Sequence, residues 1–165
     1  MTSRPRKLCL SVDFDGVLHS YDKPWAGPAI IPDPPVLGAI AWLVENRRHF
    51  DIHIFSSRSR SLRGRRAMKR YLVRHVARHF MAMGICATAT DAEPCSCWTG
   101  CDIEQCAWLG AHHMVHKEIR WPWLKPPAHL TIDDRAVTFD GDWSKLTPEA
   151  VRKFRPWNKR PDNIR

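Results

Sequence analysis

Two aspartates one residue apart, Asp13 and Asp15, close the apolar run Leu8-Cys9-Leu10-Ser11-Val12 and are followed by Gly16. A buried strand that finishes in carboxylates is unfavourable unless something neutralises them. Side chains alternate across a strand, so both carboxylates point the same way if the strand stays regular. Like charges held that close raise each other's proton affinity or recruit a cation. An oxygen-rich pair suits Mg²⁺, which takes carboxylate, carbonyl and water ligands. The chemistry implied is phosphoryl transfer at the carboxyl end of a first strand.

Three further segments add parts in chain order. Asp51-Ile52-His53-Ile54-Phe55 reads as a second strand and runs into Ser56-Ser57-Arg58. A hydroxyl and a guanidinium there can both bond phosphate oxygens, the guanidinium in a bidentate manner. Lys125, before two prolines, brings a cation, and Leu130-Thr131-Ile132 reads as a third strand ending in Asp133-Asp134-Arg135. Open α/β sheets gather their ligands at the carboxyl ends of strands, so these ends are expected to converge.

This order of motifs resembles the haloacid dehalogenase (HAD) superfamily of phosphohydrolases. Asp13-Phe14-Asp15-Gly16 is similar to its first motif, Ser56 to its second, Lys125 to its third and Asp133-Asp134 to its fourth. The spellings Ser56-Ser57-Arg58 and Asp133-Asp134-Arg135 also resemble the phosphatase half of phage polynucleotide kinase-phosphatases. The stretch from Lys125 to Ala136 resembles small phage and prophage-type HAD hydrolases. The likeness covers residues 8–145 and is weak over 84–115.

The resemblance implies an α/β fold: a Rossmann-like three-layer sandwich with a mainly parallel central sheet and a minimal cap or none. It further implies a Mg²⁺-dependent phosphatase working through an aspartyl-phosphate. Asp13 is then the nucleophile, and Asp15 the acid that protonates the leaving oxygen and later the base that activates water. Ser56 and Lys125 hold the transferring phosphoryl group, with Lys125 also neutralising Asp13. The metal would take Asp13, the backbone carbonyl of Asp15, and Asp133 or Asp134, with Asp134 favoured. Ser57 and Arg58 would contact phosphate or substrate.

Composition sets the frame around these residues. A chain of 165 residues suits one small domain with a sizeable core. No run of 18 apolar residues is present, so no transmembrane helix is expected. The basic amino terminus leads into a short apolar run that carries the aspartates, which argues against a secretory signal. A cytoplasmic protein without a membrane partner is the expectation. The absence of a Gly-x-x-x-x-Gly-Lys-Ser/Thr loop argues against a kinase half of that type.

Charge is uneven, with 26 Lys and Arg against 17 Asp and Glu. One basic block spans 58–79, where Met68, Leu72, Val76 and Phe80 recur every fourth residue. That spacing predicts a helix of about five turns with an apolar stripe and a basic face. A second basic block is the tail, 152–165. The helix face reads either as a solvated surface or as an electrostatic footprint for a nucleotide or nucleic acid.

The remaining elements position these parts. Residues 17–35, rich in Pro and Gly, form a loop that the resemblance makes a flap beside the site. Its Tyr21 and Trp25 either pack the loop onto the body or stack on substrate. Val36, Leu37, Ile40, Leu43 and Val44 give a helical stripe running to about His49. Val137-Thr138-Phe139 reads as a short strand, and Thr147-Pro148-Glu149 as a helix start. Between them, 84–115 is a Cys-rich insert or small cap, with Trp98 and Trp108 as apolar anchors. Its Cys95, Cys97, Cys101 and Cys106 either meet one structural Zn²⁺ or stay free thiols, some buried as small apolar residues.

The reading is thus a phosphatase for a nucleotide or nucleic-acid end. A small-metabolite phosphatase is the alternative within that class. Outside it stands a non-catalytic module that binds nucleic acid or protein on the same fold.

Overall fold

The computed structural model describes residues 7–84, 102–138, 142 and 147–160. Strands β1 (Leu8–Val12), β2 (Phe50–Ile54) and β3 (Leu130–Ile132) form an open parallel sheet in the order β2-β1-β3. Among the described residues four α-helices accompany it: α1 (Ala39–Asn46), α2 (Leu62–Met83), α3 (Ile103–His113) and α4 (Pro148–Lys153). The fold is therefore mixed α/β with a small parallel sheet.

The central place of β1 follows from its composition. Leu10, Ser11 and Val12 are all buried, so this strand is covered on both faces. Continuous apolar character of that kind marks a strand inside a parallel sheet. In register, Val12 stands beside Ile54 on one side and Ile132 on the other. The carboxyl ends of the three strands therefore lie together, as expected. Arg120 extends pairing beyond β2: Ile54 N–H donates to the Arg120 carbonyl and Arg120 N–H to that of Ile52, both at 2.9 Å.

The helix α2 is longer than the expected five turns. Ser61 caps its start by accepting from Gly64 N–H, and Gly84, in the left-handed region, ends it. Its apolar stripe is buried as the spacing requires: Met68, Leu72 and Val76 are fully enclosed, and Phe80 nearly so. Helix α3 packs against it, and α1 meets it as well. The core joins these helices to β1 and β2 through Phe14, Leu43, Ile52, Ile54, Leu72 and Met114.

Some boundaries differ from the sequence reading. Helix α1 begins at Ala39, after Gly38 at φ +81°, so Val36 precedes it and Leu37 is fully exposed. Val137 and Thr138 are not in a strand, and Phe139 lies outside the described residues. Of the insert, 85–101 lies outside the described residues, while 102–113 is the capped start and body of α3, followed by a π-helical turn, Met114–Glu118. Cys106 is buried on α3; Cys95, Cys97 and Cys101 of the zinc reading, and Trp98, fall outside the described residues. Thr147 caps α4 as predicted, accepting from Ala150 N–H at 3.2 Å. Of the tail, 161–165 lies outside the described residues. Among those that are described, no helix is long and apolar enough to cross a membrane.

Candidate active site

Each strand end delivers its residues to one cleft of about 240 Å³, lined by Asp13, Asp15, Tyr21, Trp25, Ser56, Ser57, Asp133 and Arg135. The backbone keeps the ends in line: Asp13 N–H donates to the Ile132 carbonyl at 2.9 Å, and Phe55 N–H to that of Val12 at 3.1 Å. Parallel pairing thus converts three separate sequence motifs into one wall.

Asp13, Asp133 and Asp134 bring carboxylate oxygens within 4.8 Å of one another. Burial pushes the Asp13 carboxyl up to about 7, and the charges of Asp133, Asp15 and Asp134 push the same way against a hydrogen bond from Phe14 N–H. Burial also raises Asp134, helped by Asp133 and opposed by Arg135. Both Asp134 oxygens are buried without a hydrogen-bond partner among the described residues. Arg135 Nε stands 3.5 Å from one of them. A buried carboxylate left without hydrogen bonds is expensive unless a cation completes it. Oxygen-only donors of this kind fit a hard divalent cation such as Mg²⁺.

Gly16 makes this arrangement sterically feasible. It sits at φ +87°, and a Cβ there would lie 2.4 Å from Asp134 Oδ2. Only glycine both adopts that backbone and leaves room for the carboxylate. Trp157, in a short 3₁₀ turn (Trp157–Lys159), donates its indole N–H to the Gly16 carbonyl at 2.7 Å. Lys159 Nζ approaches the carbonyls of Tyr21 and Asp22 at 3.4 and 3.3 Å. Part of the basic tail therefore rests on the aspartate loop and the flap.

Asp15 lines the same cleft but has different partners. The regular-strand expectation fails because β1 ends at Val12 and the chain turns, with Leu18 and His19 N–H both donating to the Phe14 carbonyl. Arg58 Nε donates to Asp15 Oδ1 at 3.0 Å and Oδ2 at 2.8 Å. His19 Nδ1 lies 2.9 Å from Oδ1, while Asp33 N–H donates to its Nε2 at 3.2 Å. An Nε2 that accepts leaves a proton on Nδ1, which donates to Asp15. Burial alone would raise Asp15, but these bonds and the Arg58 charge outweigh it and hold the carboxyl below its ordinary value.

The expected contact of Arg58 with phosphate or substrate is corrected by this geometry. Its side chain is 1% exposed and does not line the cleft. A buried guanidinium needs its donors satisfied. Besides Asp15, it donates through Nη1 to the carbonyls of Gly27, Pro28 and Ile30, at 2.9–3.0 Å. Arg58 therefore fixes Asp15 and ties the flap to the body. Asp33 secures the other end of the flap, accepting from Asp22 and Lys23 N–H at 2.9 Å each. Tyr21 and Trp25 are thereby held at the cleft, with the guanidiniums of Arg135 and Arg58 at 5.4 and 4.4 Å from their rings.

Ser56 is buried at the end of β2 and caps the 3₁₀ turn Ser57–Arg60, accepting from Arg58 N–H at 3.5 Å. Accepting leaves its hydroxyl hydrogen free to donate into the cleft, and exposed Ser57 lies beside it. Lys125 is not where the sequence reading placed it. It is exposed in the 122–129 loop, outside the cleft lining, and forms no ion pair with Asp13. The two prolines after it carry the chain straight into β3, so this loop rather than a strand end sets its position.

Sequence reasoning missed His19, Asp33, the Gly16–Asp134 contact and Trp157. The Asp15–His19 spacing of four residues was the one local signal for the first of these. No protein-family model, curated protein or solved structure was found to match the chain.

Proposed function

We propose that this chain is a Mg²⁺-dependent phosphatase that forms an aspartyl-phosphate on Asp13, in the manner of the HAD superfamily it resembles. A nucleotide or polynucleotide phosphate ester is the proposed substrate. The observation that carries the reading is the convergence of Asp13, Asp133 and Asp134 within 4.8 Å, with both Asp134 oxygens buried and unbonded. Asp13, Asp133 and Asp134 would hold the ion, together with the Asp15 backbone carbonyl. When bound, Mg²⁺ supplies charge neutralisation that lets a carboxylate approach a phosphate dianion.

The chain's own groups then have distinct tasks. An Asp13 oxygen attacks phosphorus, the ester P–O bond breaks, and the leaving oxygen takes a proton from Asp15. Water next attacks the aspartyl-phosphate, giving up its proton to Asp15 and releasing phosphate with Asp13 restored. Ser56 and Ser57 offer donors to the phosphoryl oxygens. Arg58 and His19 orient Asp15 and favour its ionised form, which suits activation of water. Protonating the leaving oxygen works against that preference, so esters with poor leaving groups should turn over more slowly. Tyr21 and Trp25 give the cleft two aromatic walls, suited to a base.

The test is phosphate release at neutral pH with and without Mg²⁺. The panel holds 5′- and 3′-nucleotides, 3′-phosphorylated oligonucleotides and an aryl phosphate, with Asp13→Asn as control. Mg²⁺-dependent release that vanishes in Asp13→Asn is expected. Release that persists in Asp13→Asn, or none from any substrate while Mg²⁺ binds, would reject the reading.

A further inference from the structure

Helix α2 carries a second feature that the catalytic cleft does not use. Arg63, Arg66, Arg70, Arg74 and Arg78 are all exposed. Their spacing of three or four residues puts them on one face of the helix, within a sector of about 120°. Over that face the helix advances about 22 Å. No Asp or Glu occurs between Ser61 and Gly84. None of these five arginines has an ion pair or hydrogen bond to another described residue. Like charges four residues apart destabilise a helix, and cations at its first turn oppose the helix dipole. The ridge is therefore an electrostatic liability that no ion pair among the described residues offsets.

Two depressions flank the ridge and share its middle. Arg70 and Arg74 line one with Ala29, Ile31, Ala67 and Tyr71, beside the flap. They line another, of about 310 Å³, with Val73, Trp108, His112 and His116. Trp108 is 37% exposed there. The His112 and His116 rings stack at 4.2 Å and 17°. Flat faces beside an uncompensated row of guanidiniums match a phosphodiester backbone with unpaired bases next to it. A duplex would bring the phosphates but keep its bases turned away from Trp108.

We infer that the α2 ridge and the Trp108–His112–His116 depression form a binding surface for single-stranded nucleic acid. The surface lies outside the acidic cleft and stands independently of the catalytic reading. The ridge starts at Arg63, three residues after the turn Ser57–Arg60 that carries Ser57, so one end of a bound strand lies near the cleft.

The test is fluorescence anisotropy on the full chain with a labelled single strand of about 20 nucleotides, longer than a typical single-domain site. Salt is varied. Neutralising five phosphates on a single strand predicts a log–log salt slope of about −3.5. Arg70→Gln with Arg74→Gln should weaken binding at least tenfold and reduce the slope to about −2. Trp108→Ala should weaken it roughly tenfold with the slope unchanged. Both changes are at exposed positions, and an unaltered melting temperature verifies the fold. Arg63→Gln with Arg66→Gln, farther from α3, serves as the second variant and should lower the slope equally.

Affinity unchanged in both arginine variants would overturn the proposal. So would equal affinity for a duplex, or for vesicles of anionic lipid, with Trp108→Ala silent; the ridge would then be a general polyanion or membrane-facing patch. Asp13→Asn should bind the strand as wild type does. Loss of phosphatase activity with intact strand binding, or the reverse, therefore separates the two proposals.

Discussion

Asp13→Asn tests the electrostatics of the cleft before any substrate is considered. The Asp13 carboxyl stands at about 7 against 3.8 for an unperturbed group. At 1.36 kcal/mol per pK unit, that rise is about 4 kcal/mol of destabilisation once the group is ionised in both states. Asp13 is only partly enclosed, so solvent screening reduces this to about 2 kcal/mol. The sign follows from linkage. A carboxyl raised in the folded state contributes its stability in the protonated form, fully below pH 3.8, and loses it as pH rises through about 7. Asparagine keeps the shape and has no charge to ionise. The variant should therefore be the more stable protein, by about 1 kcal/mol at pH 5 and about 2 kcal/mol at pH 8. For a chain of this size the gap corresponds to roughly 2–4 °C and 4–8 °C in melting temperature. The assay is thermal unfolding by circular dichroism in chelator, from pH 5 to pH 8.5. Adding Mg²⁺ at pH 8 should stabilise wild type and narrow the gap, because an ion that binds the native state alone stabilises it. A variant equal to or less stable than wild type at pH 8, or a gap that does not change with pH, would refute the account of the acidic cluster.

Other expectations follow from the same geometry. Gly16→Ala places a Cβ against Asp134 Oδ2 at φ +87°, so Mg²⁺ affinity measured by calorimetry should fall at least tenfold; an unchanged affinity would remove Asp134 from the metal set. Arg58→Gln leaves Asp15 without its charged partner and strips donors from the Gly27, Pro28 and Ile30 carbonyls. Denaturant unfolding should show a loss of about 3 kcal/mol or more, as for other broken buried pairs. Asp15→Asn should slow hydrolysis of an alkyl phosphate far more than formation of the phospho-enzyme from an aryl phosphate, seen as a burst of phenolate. Equal losses in both would remove Asp15 from the proton transfer. Phe14→Ala deletes a fully buried ring packed edge-on to Tyr71 at 5.4 Å, and a loss of about 3–5 kcal/mol by the same unfolding assay is expected.

Much of the fold was legible because its signals are local. The three strands lie within a residue of the segments read for them. Leu8–Val12 and Leu130–Ile132 are short, mostly apolar runs, and 51–55 alternates polar with apolar residues, both of which are strand patterns. The fourfold apolar spacing in 62–83 was read as a helix, and its bounding Ser61 and Gly84 are the residue types that cap one. Leu37 misled the stripe that precedes α1, because its apolar character has no burial to match: Gly38 turns the chain before the helix begins. Val137 and Thr138 have strand-like composition but no strand beside them among the described residues.

For the candidate site, residue type and order along the chain were enough to nominate Asp13, Asp15, Ser56, Ser57, Asp133 and Asp134, and parallel pairing places all six at the strand ends. The partners of those residues were decided only by tertiary structure. Nothing local distinguishes an arginine that faces a substrate from one that is buried against an aspartate 43 residues away, as Arg58 is against Asp15. Nor does spacing reveal that His19 and Asp33 meet, or that Trp157 returns to Gly16 across 141 residues. The sequence by itself determined the three strands, the helices α1 and α2, the start of α4 and which carboxylates end the strands, because propensity and burial act over a few neighbouring residues. Only the folded chain decided which carboxylate is braced by a buried guanidinium and which is left without a hydrogen bond, because desolvation and Coulomb attraction depend on distance in space and not along the chain.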